Sequence, residues 1–405
     1  MRIAMVSEHA SPLAALGGPD AGGQNVYVAR LTEELARRGH DVTVYTRRDS
    51  ARLPDRVPLP GGGVVEHVSA GPAEPVPKDE LFPYMPGFGT ILARAWERER
   101  PDVVHAHFWM SGMAAQIGAH EQGVPVVQTF HALGTVKRRH QGRRDTSPHE
   151  RLGVERQIGR SCARVLATCG DEVHELAEMG VPPGRVSVVP CGVDAEHFHP
   201  GAHGAGVPER RERHRLLACG RLVPRKGYDK AIRALTRVPD AELLIAGGPE
   251  PGRLDADPEA ARLRRLAERA GLGDRVRLLG AVDPDHMPGL MRGCDLVLCT
   301  PVYEPFGIVP LEAMACGVPV VATDVGGHRD TVADGHTGRR VPAGDPWAIA
   351  GAVRELLADE PLRRRMGAAG RERALARYTW QRVADGVEQV YQRTLTGHRV
   401  SEEVA

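Results

Sequence analysis

Residues 296–322 read LVLCTPVYEPFGIVPLEAMACGVPVVA. Leu296–Cys299 is a short apolar run of strand length. A Pro/Gly turn follows, then a helix start that carries Leu311, Glu312, Ala313 and Met314. Val318–Ala322 is a second run, rich in β-branched residues. Strand, turn, helix and strand in this order form a βαβ unit, the building block of parallel sheets covered by helices.

The same alternation extends in both directions. Upstream, strands are expected at Arg2–Ser7, Asp41–Thr46, Val64–Val68, Val103–Ala106, Val124–Thr129, Val165–Thr168 and Val186–Val189. Gln24–Arg38 has helical apolar spacing, and Gly39 stands where a helix-ending glycine belongs. His199–Arg215 breaks the pattern with HPGAHGAGVPERRERHR, so 201–214 is expected to be a linker between a domain at 1–200 and one at 215–377. In the second domain, strands are expected at Arg215–Cys219, Glu242–Ala246, Val276–Leu279, Leu296–Cys299, Val318–Ala322 and Arg339–Val341. A long helical pattern, Tyr378–Thr394 (378–396 at its widest), follows the last strand. The fold class is α/β with two sheet domains.

Composition narrows the function. The 405 residues are 41% apolar and 26% charged, enough to bury two cores. Lys+Arg 53 against Asp+Glu 52 gives a net charge of +1, so neither nucleic acid nor an acidic membrane is an expected partner. No stretch approaches the ~18 apolar residues of a membrane span. MRIAMVSEHA reads as a first strand and not a signal peptide, so the expected location is the cytoplasm. Seven cysteines, an odd number without C-x-x-C, read as reduced and mostly buried thiols. Oligomeric state is not legible, and a homodimer is left open.

Three stretches carry chemistry. Gly17–Asn25 (GGPDAGGQN) joins the first strand to the first long helix. Glycines let a backbone approach a ligand, and a helix N-terminus favours anions, so Gly22 and Gly23 are candidate phosphate contacts; a plain Gly-rich turn is the competing reading. Gly220–Gly227 (GRLVPRKG) follows the first strand of the second domain, where open α/β sheets bind ligands. Arg221 and Lys226 there suit a diphosphate, against a solvated basic turn. Tyr303–Met314 places Glu304 and Glu312 eight residues apart, across a strand end, a turn and a helix start. Such a pair can accept hydrogen bonds from sugar and ribose hydroxyls, with backbone amides near Gly307 and Ile308 close by.

With these stretches in hand, the chain resembles the retaining GT-B glycosyltransferases of the sucrose synthase-like superfamily, glycosyltransferase family 4. The resemblance covers nearly the whole chain. It rests on Glu304…Glu312 with Phe306-Gly307-Ile308 between, the GGQN loop, His105–Trp109, Phe130–Gly134, Val189–Asp194, Arg221…Lys226, and Ala315–Ala322 followed by Gly326-Gly327.

The resemblance implies two Rossmann-like domains facing across a cleft, with the C-terminal helix crossing back to the N-terminal domain. It implies a nucleoside-diphosphate sugar as donor, UDP-glucose or UDP-N-acetylglucosamine being favoured, with no cofactor and no essential metal. Glu304 would hold donor-sugar hydroxyls beside amides of Phe306, Gly307 and Ile308. Glu312 would hold the ribose, and Val282 would lie by the base. Arg221 and Lys226 would stabilise the leaving diphosphate, Gly22 and Gly23 would add phosphate contacts, and His131 would sit at the donor sugar.

For the acceptor, Lys78–Tyr84 resembles a segment of sucrose-phosphate synthases and of the inositol-phosphate N-acetylglucosaminyltransferase of mycothiol synthesis. This implies an acceptor site of Asn25, Lys78, Phe108, Lys137 and Arg151. Phe108 and Ala132 stand where the mycothiol enzyme has a Tyr and a Thr, so the small soluble acceptor stays open: a sugar or cyclitol, phosphorylated or not. A glycoside hydrolase using the two glutamates is disfavoured, because Glu312 lies within a helix beside a diphosphate-type turn. A non-catalytic sugar-nucleotide-binding protein and a sugar-nucleotide epimerase remain the alternatives.

Overall fold

The structure is a computed structural model that describes residues 1–14, 22–202 and 207–404, with side chains described up to 398. The Gly17–Ala21 part of the Gly-rich loop and positions 203–206 of the expected linker lie outside the described residues. The chain divides into two units: Met1–Cys191 together with the chain from Trp380 onward, and Gly192–Thr379.

The first unit carries β1 (Arg2–Val6), β2 (Asp41–Arg47), β3 (Arg56–Pro58), β4 (Val64–Val68), β5 (Val103–His107), β6 (Val126–Thr129), β7 (Arg164–Ala167) and β8 (Val186–Val188), in the order β3-β4-β2-β1-β5-β6-β7-β8. All neighbours are parallel except β3 with β4. The second unit carries β9 (His214–Cys219), β10 (Ala241–Ala246), β11 (Val276–Gly280), β12 (Leu296–Cys299), β13 (Val320–Thr323) and β14 (Gly338–Val341), all parallel, in the order β11-β10-β9-β12-β13-β14. Each order reverses once, between β1 and β5 and between β9 and β12. Such a switch point opens a crevice outside the carboxyl ends of the strands.

The expected strands form, with small shifts of physical origin. β6 and β13 begin later than their apolar runs because Pro125 and Pro319 cannot donate to a ladder. β3 escapes a pattern reading: it is three residues long, lies at the sheet edge and ends in Pro58.

The boundary between units falls earlier than the expected linker. Gly192–Pro200 is tied into the second unit: Val193 donates to the Tyr378 carbonyl at 2.7 Å, and Arg292 donates to the His199 carbonyl at 3.0 Å. Arg210, within the expected linker, reaches Asp295 at 2.7 Å. Hydrogen bonds to the body of the unit therefore override the Gly/Pro-rich composition.

The last helix, Trp380–Val404, belongs to the first unit. Val383, Ala384, Val387, Val390 and Tyr391 are buried at helical spacing and form its inward stripe. Arg38 holds it through Asp385 at 2.8 Å and Glu388 at 2.6 Å. Tyr378, expected at its start, stays with the second unit, where its hydroxyl donates to the Asp330 carbonyl at 2.8 Å. No helix among the described residues is long and apolar enough to cross a membrane. All seven cysteines are buried, and none of them forms a disulfide.

Candidate functional site

In the second unit the switch point is built by close backbone contacts. β9 ends at Cys219, and the chain turns through Pro224–Lys226 into Gly227. Gly227 has φ +70°, and a Cβ there would fall 2.0 Å from the Thr300 carbonyl oxygen at the end of β12. Only glycine lets the turn close on the neighbouring strand. That approach delivers Lys226 Nζ to Glu304 Oε2 at 2.5 Å, with Arg225 Nη1 at 3.6 Å. Burial pushes the Glu304 carboxyl up, but Lys226 and Arg225 outweigh it and hold the group at about 2. Glu304 is therefore ionised at neutral pH.

Gly307, at φ +87°, caps the helix Ile308–Ala315. A Cβ there would meet His328 Cδ2 at 2.7 Å. The first N–H groups of a helix have no intrahelical acceptor, so the start at Ile308 presents donors. Lys226, Tyr228, Thr300, Glu304, Gly307 and Ile308 line one pocket. Glu312 is half-buried, and burial, opposed by Lys226, lifts its carboxyl to about 7. Arg221 is exposed just past β9, Val282 is half-buried just past β11, and Phe306 is buried. The structure thus gathers Lys226, Glu304, Gly307 and Ile308 at the end of β12, with Arg221 at the adjoining turn.

In the first unit, Phe108 sits at the end of β5 with φ +81° and ψ 160°, a region that glycine alone occupies readily. Its surroundings enforce it: its N–H donates to the Thr129 carbonyl at 2.8 Å, and its carbonyl accepts from Gln128 Nε2 at 3.0 Å. The strain presents the ring to Lys78 Nζ, 5.8 Å from its centroid, and to Arg151 Cζ at 5.0 Å. Arg151 is 3% exposed. Three of its N–H donors go to Glu155 at 2.7 Å, Ser147 at 3.2 Å and the Ala132 carbonyl at 2.6 Å. Lys137 reaches the same Ser147 at 2.8 Å and Asp145 at 3.0 Å. Thr146 donates to Asp79 at 2.5 Å and ties this loop to the Lys78 segment. Lys78, Phe108, Lys137 and Arg151, spread over the sequence, therefore share one neighbourhood. Asn25 commits both ends of its amide to the chain: Oδ1 accepts from Gly22 N and Nδ2 donates to the Ser11 carbonyl, both at 3.0 Å. It fixes the turn that exposes Gly22 and Gly23 at the helix start.

His131 also sits at positive φ, +60°, with Ala132 N donating to the Phe130 carbonyl at 2.7 Å. Its Nε2 faces His107 Nδ1 at 3.0 Å. Burial pulls His131 down to about 3 and His107 well below its ordinary value, so both rings are neutral. His107 Nε2 is buried without a hydrogen-bond partner. A buried bare nitrogen is tolerated better than an orphaned N–H. One of the two facing nitrogens donates to the other, and the tautomer of the pair sets the direction. His105 closes the row, with Tyr391 at 2.7 Å and Thr129 at 2.8 Å.

Three groups escaped the sequence reading. His9 packs edge-on to Phe108, with centroids 5.0 Å apart, and is oriented by the buried Glu8 at 2.6 Å. Ser147 bridges Lys137 and Arg151, and Tyr228 lines the second-unit pocket. Glu8-His9 follows a first strand and could have drawn notice; Ser147 and Tyr228 carry no local signal.

Comparison with known proteins gives consistent matches. A family described as glycosyl transferases group 1 matches residues 205–373, and glycosyltransferase family 4 matches 21–197. The chain is similar to the D-inositol 3-phosphate glycosyltransferase of Acidothermus cellulolyticus, 37% identical over 99% of this chain and 92% of that one. It is 36% identical to D-inositol 3-phosphate glycosyltransferase 2 of Catenulispora acidiphila, over 97% of this chain and 95% of that one. Among solved structures, sucrose-phosphate synthase from Thermosynechococcus elongatus matches with a TM-score of 0.89 at 32% identity, over 98% of this chain and 99% of that one.

Proposed function

Because the chain belongs to the group 1 and family 4 glycosyltransferases, the GT-B enzymes, we propose that it moves a hexosyl group, with retention, from a nucleoside-diphosphate sugar to a hydroxyl of a small phosphorylated cyclitol or sugar. The observation that carries this is the Lys226–Glu304 pair at the end of β12. It supplies a cation for phosphate and an ionised carboxylate for sugar hydroxyls within one pocket. On this reading Lys226 and Arg221 neutralise the diphosphate as its bond to the sugar breaks, which is preorganised electrostatic stabilisation of a leaving group. Glu304, with amides at Phe306, Gly307 and Ile308, orients the sugar. Glu312 takes the ribose, and Val282 flanks the base. Transfer needs no bound metal, since two side-chain cations take that part. UDP-glucose and UDP-N-acetylglucosamine are the donors to try first.

The test is thermal stabilisation by UDP, GDP and ADP, each in large excess and with chelator present. A diphosphate at 100 times its Kd adds about 2.7 kcal/mol. Stabilisation by one of them is expected and names the donor base. Stabilisation by none would refute the donor site and move a regulatory, non-transferring protein to the front. An epimerase would instead isomerise the donor without any acceptor.

The acceptor anion is assigned to Lys78, Lys137 and Arg151 around Phe108. Arg151 is paired with the buried Glu155, and Lys137 with Asp145, which ties both of these cations into the chain. Lys78→Ala is expected to raise the KM for a phosphorylated acceptor ~10–100-fold, as loss of a charge-assisted hydrogen bond does, and to leave donor KM nearly unchanged. Equal changes in both constants would remove Lys78 from the acceptor site. The relatives named above act on D-inositol 3-phosphate, which makes it the first acceptor to assay.

A further inference from the structure

We propose that the Tyr228 hydroxyl is an additional ligand contact of the second-unit pocket, donating a hydrogen bond to a phosphate oxygen of a bound nucleoside diphosphate. This rests on the donor reading above and adds a residue to it.

Tyr228 opens the helix Tyr228–Leu235, and its ring lies in the hydrophobic core of the second unit. The residue is 3% exposed, yet its hydroxyl has no hydrogen-bond partner. A buried hydroxyl without a partner is a standing destabilisation, whereas a phenylalanine of the same shape would carry none. The hydroxyl is also well placed for a ligand. Tyr228 lines the same pocket as Lys226 and Glu304. A Cβ on Gly220 would lie 3.3 Å from the Tyr228 oxygen, 3.5 Å from Lys226 Cε and 3.8 Å from Lys226 Nζ. The hydroxyl and the ammonium therefore converge over Gly220, which has no side chain to come between them. The nearby side chains include the thiols of Cys219 and Cys299, which are weak acceptors. Burial, reinforced by Cys219, Cys299 and Glu304, keeps the phenol well above its ordinary pKa, so it remains an O–H donor. An anion drawn to Lys226 brings acceptor oxygens beside a donor that otherwise has none.

The experiment compares wild type with Tyr228→Phe. Calorimetry measures the Kd of whichever of UDP, GDP and ADP binds wild type, and thermal unfolding is followed without ligand. The expected result is a Kd weakened about tenfold with a ligand-free Tm equal to or above that of wild type. A lowered ligand-free Tm would show that the hydroxyl is satisfied within the protein and overturn the proposal. An unchanged diphosphate Kd would also overturn it, and a raised KM for the diphosphate sugar in that case would place the hydroxyl on the sugar. If wild type binds none of the three, the donor reading fails and this proposal falls with it. If wild type binds and the variant binds equally well, this proposal alone fails.

Discussion

Lys226→Ala is expected to lower kcat/KM by about a thousandfold while the protein stays folded. The expectation follows from the position of Nζ, 2.5 Å from Glu304, in a pocket where both side chains are mostly buried. A cation fixed there needs no reorganisation when the diphosphate leaves, and removing one such preorganised group typically costs ~10²–10³ in rate. Glu304 is touched as well. Burial alone would raise its carboxyl, and Lys226 is the first of the charges that hold it down. In the variant its pKa rises, although Arg225 at 3.6 Å keeps part of the effect. Steady-state kinetics and circular dichroism on the same preparation check this. Turnover within a few-fold of wild type would remove Lys226 from the reaction.

Gly327→Ala is expected to lower kcat about a hundredfold and to lower Tm as well. Gly327 donates its N–H to the Glu304 carbonyl at 3.1 Å. A methyl on it would lie 2.0 Å from the Phe306 carbonyl oxygen, far inside contact distance. A Cβ on Gly326 would fall equally close to the Glu304 carbonyl oxygen, also 2.0 Å. The pair backs the loop that carries Glu304. A methyl must push that loop away, and a shift of ~1 Å at a reacting geometry costs ~10²-fold. Overpacking against backbone adds a loss of ~1–3 kcal/mol. Gly351→Ala is the matched control: it lies in the helix Pro346–Ala358, and a Cβ there meets nothing within 4 Å. It should leave kcat alone and stabilise by ~0.5–1 kcal/mol through helix propensity. Wild-type kcat in Gly327→Ala would show that the loop does not depend on this backing.

The two-sheet α/β architecture is legible in the sequence, because most strands other than β3 contain a local apolar run and most crossovers a local helical pattern. It also points to Lys226 and Glu304 lying together. Lys226 and Glu304 sit in turns directly after strands, and a parallel sheet places every such turn at one edge. Their local motifs therefore predicted a shared location before any contact was known.

The rest depended on three-dimensional packing. The boundary at Cys191 is decided by hydrogen bonds from Gly192–Pro200 to distant residues, which composition cannot register. The grouping of Lys78, Lys137 and Arg151 comes from contacts between distant segments: Ser147 bridges Lys137 and Arg151, Thr146 holds Asp79, and Phe108, in a backbone conformation unfavourable for its type, packs its ring near Lys78 and Arg151. The pairing of His107 with His131 follows from the meeting of two strand ends distant in sequence. Tyr228 resembles any core tyrosine in the sequence. Its distinguishing property is an unmet hydrogen bond, and whether a buried group finds a partner is decided by tertiary packing and not by local sequence.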